Sequence, residues 1–453
     1  MNKWTGIYRS NLVYRKSRFT HLLRMFLSLI YLWLGSLVSC CFAYSRSFYH
    51  FFRSTSHIQT QTSLTDAEIA SGPFLVSSIK PEAHEWADAF GTTILDPRLE
   101  GNSFSLVSYN ILAPINGEGS KHAYAKESIT RWSRRREKLV EELKRLKADI
   151  FCLQEVSLKG LKETFIPKLQ PFGYECCAYA PAKKSDLSRG KYAHRQIGCA
   201  VFIRSSKIRV LNATRIHLRD HMPLDSCFSH KFAVDVQSRY DAMAMVHLQL
   251  TSTNQTFIVC NAHFYWNPQR PDIKASQAYA SMEAVKSYAT TLGYKSINDV
   301  PLIMSGDLNT MPTNIPYQLG GFEDTIASAP FEIFSHGHLA SSHPEHPDSY
   351  YTKVDKGTNP KLGAFHTKLT LKNIYSLPEF EPQRPLFTTK TDEFAGWIDH
   401  IWVSSNIEVT HVLVPPIRSG DLEANLKARK FTPIPTLRHP SDHLPIGMIA
   451  SLR

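Results

Sequence analysis

The feature that most constrains this chain is a repeated one: apolar runs that end, or in the last case begin, at polar side chains. Phe104 to Asn110 ends in Asn110, and Asp149 to Val156 carries Gln154 and Glu155 near its end. Thr256 to Phe264 finishes around Asn261 and His263, and Val300 to Asn309 finishes in Asp307 and Asn309. Asp399 stands beside the run His400–Ser404, and Asp442–His443 precedes Leu444–Ser451. One such tip is what local capping produces. Repeated along one chain, they describe strands delivering polar groups to one rim of a rigid scaffold, as active sites are built. Asp307 and Asn309 are two apart, so both leave one face of the strand if it stays extended. Ser305-Gly306-Asp307-Leu308-Asn309 has a second reading as a turn, since Gly, Asp and Asn favour turns.

Between these runs, Arg131–Lys147 carries Leu139, Leu143 and Leu146 on one face and charge on the other, which predicts an amphipathic helix. Asp272–Leu292 predicts a second helix. Strands are expected also at Cys199–Arg204, Met243–Leu250 and Val409–Val414. Alternating strands and helices predict an α/β or α+β fold with a single catalytic domain at 101–453. Residues 66–100, broken by Pro73, Pro81 and Pro97, read as a linker or lead-in; residues 310–397 read as a long irregular region with the tract HPEHPD at 343–348. Cys152, Cys199 and Cys260 lie in strand-like runs and no C-x-x-C pair occurs, so a structural zinc site is not expected.

The net charge of +12 is unevenly placed: residues 1–65 hold 8 of the 52 Lys and Arg and no acid, leaving 44 basic against 40 acidic side chains in the rest. The body is not a basic nucleic-acid wrapper, so a polyanion must be held by local charge or metal. Within 1–65, Met25 to Tyr44 is uncharged and mostly apolar, and as a helix it would span roughly 30 Å, a bilayer core. The Ser- and Thr-rich stretch after it is acid-free. The segment reads as a signal anchor, a cleaved signal peptide or an organelle presequence, with membrane association through 25–44.

The polar tips suit metal-assisted phosphodiester hydrolysis. Oxygen ligands such as Glu155, helped by Asn110 and Asp442, suit Mg²⁺ or Mn²⁺. Asp307 is placed to orient and deprotonate water. Asn309 would donate to the developing oxyanion, and His443 with Asp399 reads as an imidazole fixed by a carboxylate.

The motifs SYN (108–110), LQEV (153–156), NAHFYWNP (261–268), SGDLNTMP (305–312), WIDHIW (397–402) and HPSDHLPI (439–446) resemble, in order, those of the endonuclease/exonuclease/phosphatase superfamily. The NAH block and the W-x-x-R pattern (Trp132 to Arg135) resemble its deadenylase branch, with the Ccr-like, Nocturnin and Angel proteins. The resemblance implies a four-layer α/β/β/α sandwich. It implies that Glu155 is the principal metal ligand with Asn110 beside it, that His263 and His443 contact the scissile phosphate, and that Asp399 supports His443. Asp307 and Asn309 would position the water. Pro268 and Phe394 match positions that sandwich an adenine base, and Asn261 is counted with them as substrate-binding. Two departures stand out: Ile197-Gly198-Cys199-Ala200 replaces a family Asp-Gly-Cys-Ala, and His400 stands where an aromatic is frequent. No leucine-rich repeats precede the domain, so docking to a deadenylase scaffold by that route is not expected.

The implied activity is a Mg²⁺-dependent 3′–5′ exoribonuclease acting on RNA with a 3′ adenylate tail and releasing AMP. The alternatives are the same fold acting on the 2′-phosphate of NADP(H) or on 2′,5′-oligoadenylate, and a membrane-anchored RNA-binding protein without turnover. The expected location is membrane-anchored, organellar or secretory.

Overall fold

The computed structural model describes residues 85–88, 93–94, 102–117, 122–182, 196–222, 224, 231–313, 326–354, 362–418 and 430–453. Residues 1–65, with the hydrophobic run 25–44, lie outside the described residues. Among the described residues no helix is long and apolar enough to cross a membrane. One compact unit takes in Lys80–Arg453.

Its strands begin with β1 (Glu85–Asp88), β2 (Thr93–Ile94), β3 (Ser103–Asn110), β4 (Ile150–Ser157), β5 (Tyr174–Pro181) and β6 (Ile197–Arg204). Next come β7 (Ile208–His217), β8 (Ala242–Leu250), β9 (Thr256–His263), β10 (Leu302–Asp307), β11 (His338–Leu339) and β12 (Phe365–His366). The last are β13 (Lys372–Asn373), β14 (Thr389–Lys390), β15 (Ala395–Gly396), β16 (Asp399–Val403), β17 (Ile407–Val414) and β18 (Ile446–Leu452). They form an eight-stranded sheet in the order β2-β1-β17-β18-β3-β4-β6-β5 and a six-stranded sheet in the order β13-β16-β10-β9-β8-β7.

Strand alternation sorts the side chains into layers. Phe104, Leu106, Ile150, Cys152 and Val201 of the first sheet meet Val246, Leu248, Phe257, Val259, Ile303 and Ile401 of the second in a core between the sheets. On the outer face of the first sheet, Val107, Tyr109, Phe151 and Phe202 pack with Leu139, Leu143 and Leu146 of helix α1 (Trp132–Leu146). Burying each of those leucines stabilises the fold by about 1.5–3 kcal/mol. Helix α1 stops at Lys147, which is left-handed at φ 52° and returns its N–H to the Leu143 carbonyl. The outer face of the second sheet packs Met243, Met245, Cys260 and Met304 against helix α2 (Pro271–Thr291) and helix α3 (Ala329–His336). The result is the four-layer α/β/β/α arrangement. Cys152, Cys199 and Cys260 are free and buried, and burial pushes the Cys152 thiol up to about 12.

Three expectations need correction. Residues 66–100 are not only a lead-in: β1 pairs with β17 and β2 with β1, extending the first sheet at its edge. Strands this short carry too few residues to print a period. Strand β5, and the partly exposed, polar-rich β7, were not among the expected strands. The region 310–397 holds α3, the helix Pro347–Val354 and the short strands β11 to β15. Its HPEHPD tract works as a brace: the Glu345 carboxylate accepts the Ala329 N–H at 2.7 Å, capping α3. His343 meets the Ala327 carbonyl at 3.0 Å.

Candidate active site

Register assembles the first half of the site. In the six-stranded sheet β10 lies between β9 and β16, and the pairing sets His263 beside Asp307 and Asp307 opposite Asp399. Neighbouring strands are roughly 5 Å apart, so one row of three strand ends presents an imidazole and two carboxylates. Asp307 Oδ2 lies 3.5 Å from His263 Nε2 and 3.7 Å from His443 Nε2. His443 Nδ1 donates to Asp399 Oδ2 at 2.8 Å. His443 arrives on the segment before β18, which is held by a bridge to Thr389 and by the Leu444 N–H on the Thr388 carbonyl. Burial opposes a charge on His443, but Asp399 and Asp307 outweigh it and hold its pKa well above the ordinary histidine value.

The eight-stranded sheet supplies the second half. Asn110, at the end of β3, donates from Nδ2 to Asp307 Oδ2 at 2.9 Å, while its Oδ1 accepts the Leu112 N–H. Glu155 stands on a β-bulge: Leu153 pairs with Ala200 and Val156 with Gly198, so Gln154 and Glu155 together face Cys199 alone. Glu155 takes φ 59°, which for this residue type costs roughly 1–3 kcal/mol. Its Oε2 accepts from the Ala113 N–H at 2.8 Å and from Asn116 Nδ2 at 2.7 Å, and Oε1 lies 3.5 Å from Asn110 Nδ2. Asp307 and Asn309 join both readings of their motif. Strand β10 ends at Asp307, and Asp307 Oδ1 then accepts the Asn309 N–H at 2.9 Å in an Asx turn. Asn309 is left-handed at φ 48°, and its Nδ2 donates to the Phe264 carbonyl.

Oxygen donors of this kind fit a divalent ion such as magnesium, which takes one or two carboxylates and keeps several waters. Glu155 is a carboxylate that could hold such an ion, fixed from behind by two donors on Oε2. Asp307, Asp399 and His443 also bring ligand atoms within 4.8 Å of one another. There, however, both ring nitrogens of His443 face carboxylates, so those three form a proton-bearing row rather than an ion cage.

Other expected residues lie elsewhere. Asp442 turns to His122, whose Nε2 donates to its Oδ2 at 3.1 Å, and its carbonyl accepts from Thr389 Oγ1. Burial would raise its pKa, but the bond from His122 and the charge of His443 bring it below the carboxylate norm. Asn261 is 0% exposed and faces the core between the sheets, so it does not touch substrate; inward alternation with Phe257 and Val259 is the reason. Pro268 is exposed in the loop after β9. Phe394 is 40% exposed, not core, at the tip of the β14–β15 hairpin, where Thr391 Oγ1 accepts its N–H at 3.0 Å. Its ring lies so close over Gly396 that a Cβ there would fall 2.4 Å from Phe394 Cζ.

The departures are also placed. Ile197 opens β6, and Gly198 packs its α-carbon on the Ala180 carbonyl with no room for a side chain. His400 is a buried neutral ring: Nε2 donates to the Thr310 carbonyl at 2.8 Å, Nδ1 faces Asn373 Nδ2 at 3.3 Å, and burial lowers its pKa to about 4.

Arg135, Gln154 and Ser441 were given no role by the sequence reading. The buried Arg135 donates to the carbonyls of Thr130, Ile111, Leu112 and Pro440, tying the end of β3 to the segment that brings His443. Ser441 Oγ donates to the Asn110 carbonyl at 2.6 Å. The Trp132–Arg135 spacing was the only signal for the first; for Ser441 it was its place in HPSDHLPI, which gave it no role.

The family model described as the Endonuclease/Exonuclease/phosphatase family matches residues 107–443. The chain is 25% identical over 368 residues to the CCR4-Not complex 3′-5′-exoribonuclease subunit Ccr4 of Kluyveromyces lactis, covering 78% of this chain and 42% of that one. It is 27% identical over 391 residues to the same subunit of Phaeosphaeria nodorum, covering 78% and 60%. The chain thus spans about half the length of the curated relatives it matches. Among solved structures it is similar to ANGEL2, a 2′,3′-cyclic phosphatase, bound to adenosine-2′,3′-vanadate, with TM-score 0.57, 22% identity and coverage of 77% and 96%. The human Nocturnin catalytic domain matches with TM-score 0.51, 19% identity and coverage of 83% and 100%. These two likenesses concern the fold.

Proposed function

Because the chain belongs to the endonuclease/exonuclease/phosphatase family, we propose that it is a divalent-metal-dependent 3′–5′ exoribonuclease that shortens RNA ending in adenylate and releases AMP. The observation that carries this reading is Asp307, which receives Asn110 from the eight-stranded sheet and faces His263 of its own sheet and His443 from the segment before β18. In this reading Asp307, oriented by the Asn110 amide and the Asn309 N–H, takes a proton from the attacking water as its oxygen bonds to phosphorus. The bond from phosphorus to the preceding 3′-oxygen breaks, and that oxygen is protonated from solvent. His443, held charged between Asp399 and Asp307, presents an N–H to the phosphate, and His263 flanks it. Glu155, with Asn110 beside it, would hold a magnesium ion, with manganese the other ion that fits. When bound, the ion offsets charge on the phosphate oxygens. Phe394 and Pro268 offer an exposed stacking pair for the terminal adenine.

The test is a substrate panel on the full chain: oligo(A), mixed-sequence RNA, 2′,5′-oligoadenylate, NADPH and adenosine 2′,3′-cyclic phosphate, each with Mg²⁺ and with chelator. The expected result is AMP from oligo(A) with Mg²⁺ only. The Glu155→Ala variant should lose at least about a hundredfold in rate, since a catalytic ion supplies several kcal/mol at the transition state, with its melting temperature kept. Full activity in that variant would sink Glu155 as the ion holder, and faster turnover of any other substrate would move the assignment to that class.

A further inference from the structure

We propose that Asn261 is a positioning residue: it sets the Glu155 bulge and fixes the spacing between the two halves of the site. The inference rests on reading Glu155 as the ion-holding carboxylate.

Asn261 lies on β9, with Phe257 and Val259 pointing the same way into the core between the sheets. An unpaired amide there would be costly, so its partners state its purpose. Asn261 Nδ2 donates to the Leu153 and Ala200 carbonyls, each at 3.0 Å, and Oδ1 accepts from Gln154 Nε2 at 2.8 Å. Leu153 and Ala200 are the last regular pair before the bulge, and Gln154 is its first residue. Every hydrogen bond of this side chain therefore ends on the border of the bulge that turns Glu155 out of the ladder. Gln154 Nε2 also lies 3.0 Å from Ser108 Oγ and 2.9 Å from the Cys152 carbonyl, which fixes the amide that Asn261 meets. A regular strand would need no such donors from the opposite sheet. A bulge leaves part of the ladder unmatched, and here a side chain from across the core takes up the bordering carbonyls.

The same strand carries the other half. Asn261 pairs with Ser305, and two residues on His263 pairs with Asp307. The cross-sheet bridge thus ties the strand under the proton-transfer row to the strand bearing Glu155. Groups outside the coordination shell that orient a ligand commonly change metal affinity ten- to a hundredfold when removed.

The experiment is a Mn²⁺ titration followed by electron paramagnetic resonance on the full chain. The variants are Asn261→Ala, Gln154→Met and Glu155→Ala beside the wild type, with melting temperature and oligo(A) kinetics measured in parallel. Asn261→Ala should weaken Mn²⁺ binding about tenfold or more, lower kcat and leave KM for oligo(A) unchanged. Gln154→Met should shift Mn²⁺ affinity in the same direction by less, and it carries the test if Asn261→Ala does not fold. Wild-type Mn²⁺ affinity in Gln154→Met and any folded Asn261→Ala, with binding lost in Glu155→Ala, would overturn the inference and leave the proposed function standing. Undiminished Mn²⁺ binding in Glu155→Ala would overturn both.

Discussion

His443 is the residue whose surroundings say most about its charge. Asp399 and Asp307 raise its pKa above the unfolded value of about 6.5. Its charged form therefore stabilises the fold fully below that pH, and the contribution is lost as pH rises through the folded pKa. His400 works in the opposite sense. Buried and lowered to about 4, it withdraws stability as pH falls from about 6.5 toward 4. Replacing His443 by Gln should cost most melting temperature below about pH 6.5, with the gap to wild type narrowing at alkaline pH. Calorimetric scans across that range check it, and a gap that widens with pH would show that the ring is neutral in the fold. At the substrate end, Phe394→Ala should raise KM for oligo(A) by roughly five- to a hundredfold, the range of one lost base stack. An unchanged KM would remove Phe394 from the binding surface.

At the scale of elements, strand ends do the positioning, and glycine makes the central pair fit. Gly306 in β10 has φ 147°, and a Cβ there would lie 1.9 Å from the Ala262 carbonyl on β9. Gly306→Ala should destabilise the protein by about 2 kcal/mol or more through strain and lost pairing, read by denaturant unfolding. Because β9 and β10 bring His263 and Asp307 into register, activity should fall further than the folded fraction; a variant as stable as wild type would mean that the strands part easily. This level was also where the sequence was most legible. Apolar runs marked β3, β4, β9, β10 and β18, because strands buried on both faces read as continuous hydrophobic stretches. Asn261 was misread for the same reason. A polar residue near a strand end looks alike from sequence whether it points to the rim or into the core, and only register across the two sheets separates them. The Glu155 bulge left no mark either, since one extra residue in LQEV changes no composition. Strands β1 and β2 were invisible because pairing of β1 with β17 and of β2 with β1, not their own sequence, makes them strands.

For the whole molecule, charge and location remain joined. The basic excess lies in residues 1–65, while the remainder holds 44 basic against 40 acidic side chains. On the proposed function, a unit with that balance would hold RNA through short-range contacts at the site rather than through its overall field. The basic, acid-free residues 1–65, with the apolar run Met25–Tyr44, have the composition of a targeting segment. A plain anchor with the basic flank in the cytoplasm would place the nuclease across the membrane from cytosolic messages. We therefore propose delivery into an organelle or the secretory route, where the chain would meet the RNA of that compartment. The full chain tagged at its C-terminus should co-localise with an organelle or secretory marker. N-terminal sequencing of the mature protein should begin beyond the hydrophobic run if it is cleaved. Retention of the run with carbonate-resistant membrane association would instead assign it as an anchor. A diffuse cytosolic signal with an intact Met1 would overturn every targeting version and return the cytosolic adenylate tail as the substrate within reach of Asp307.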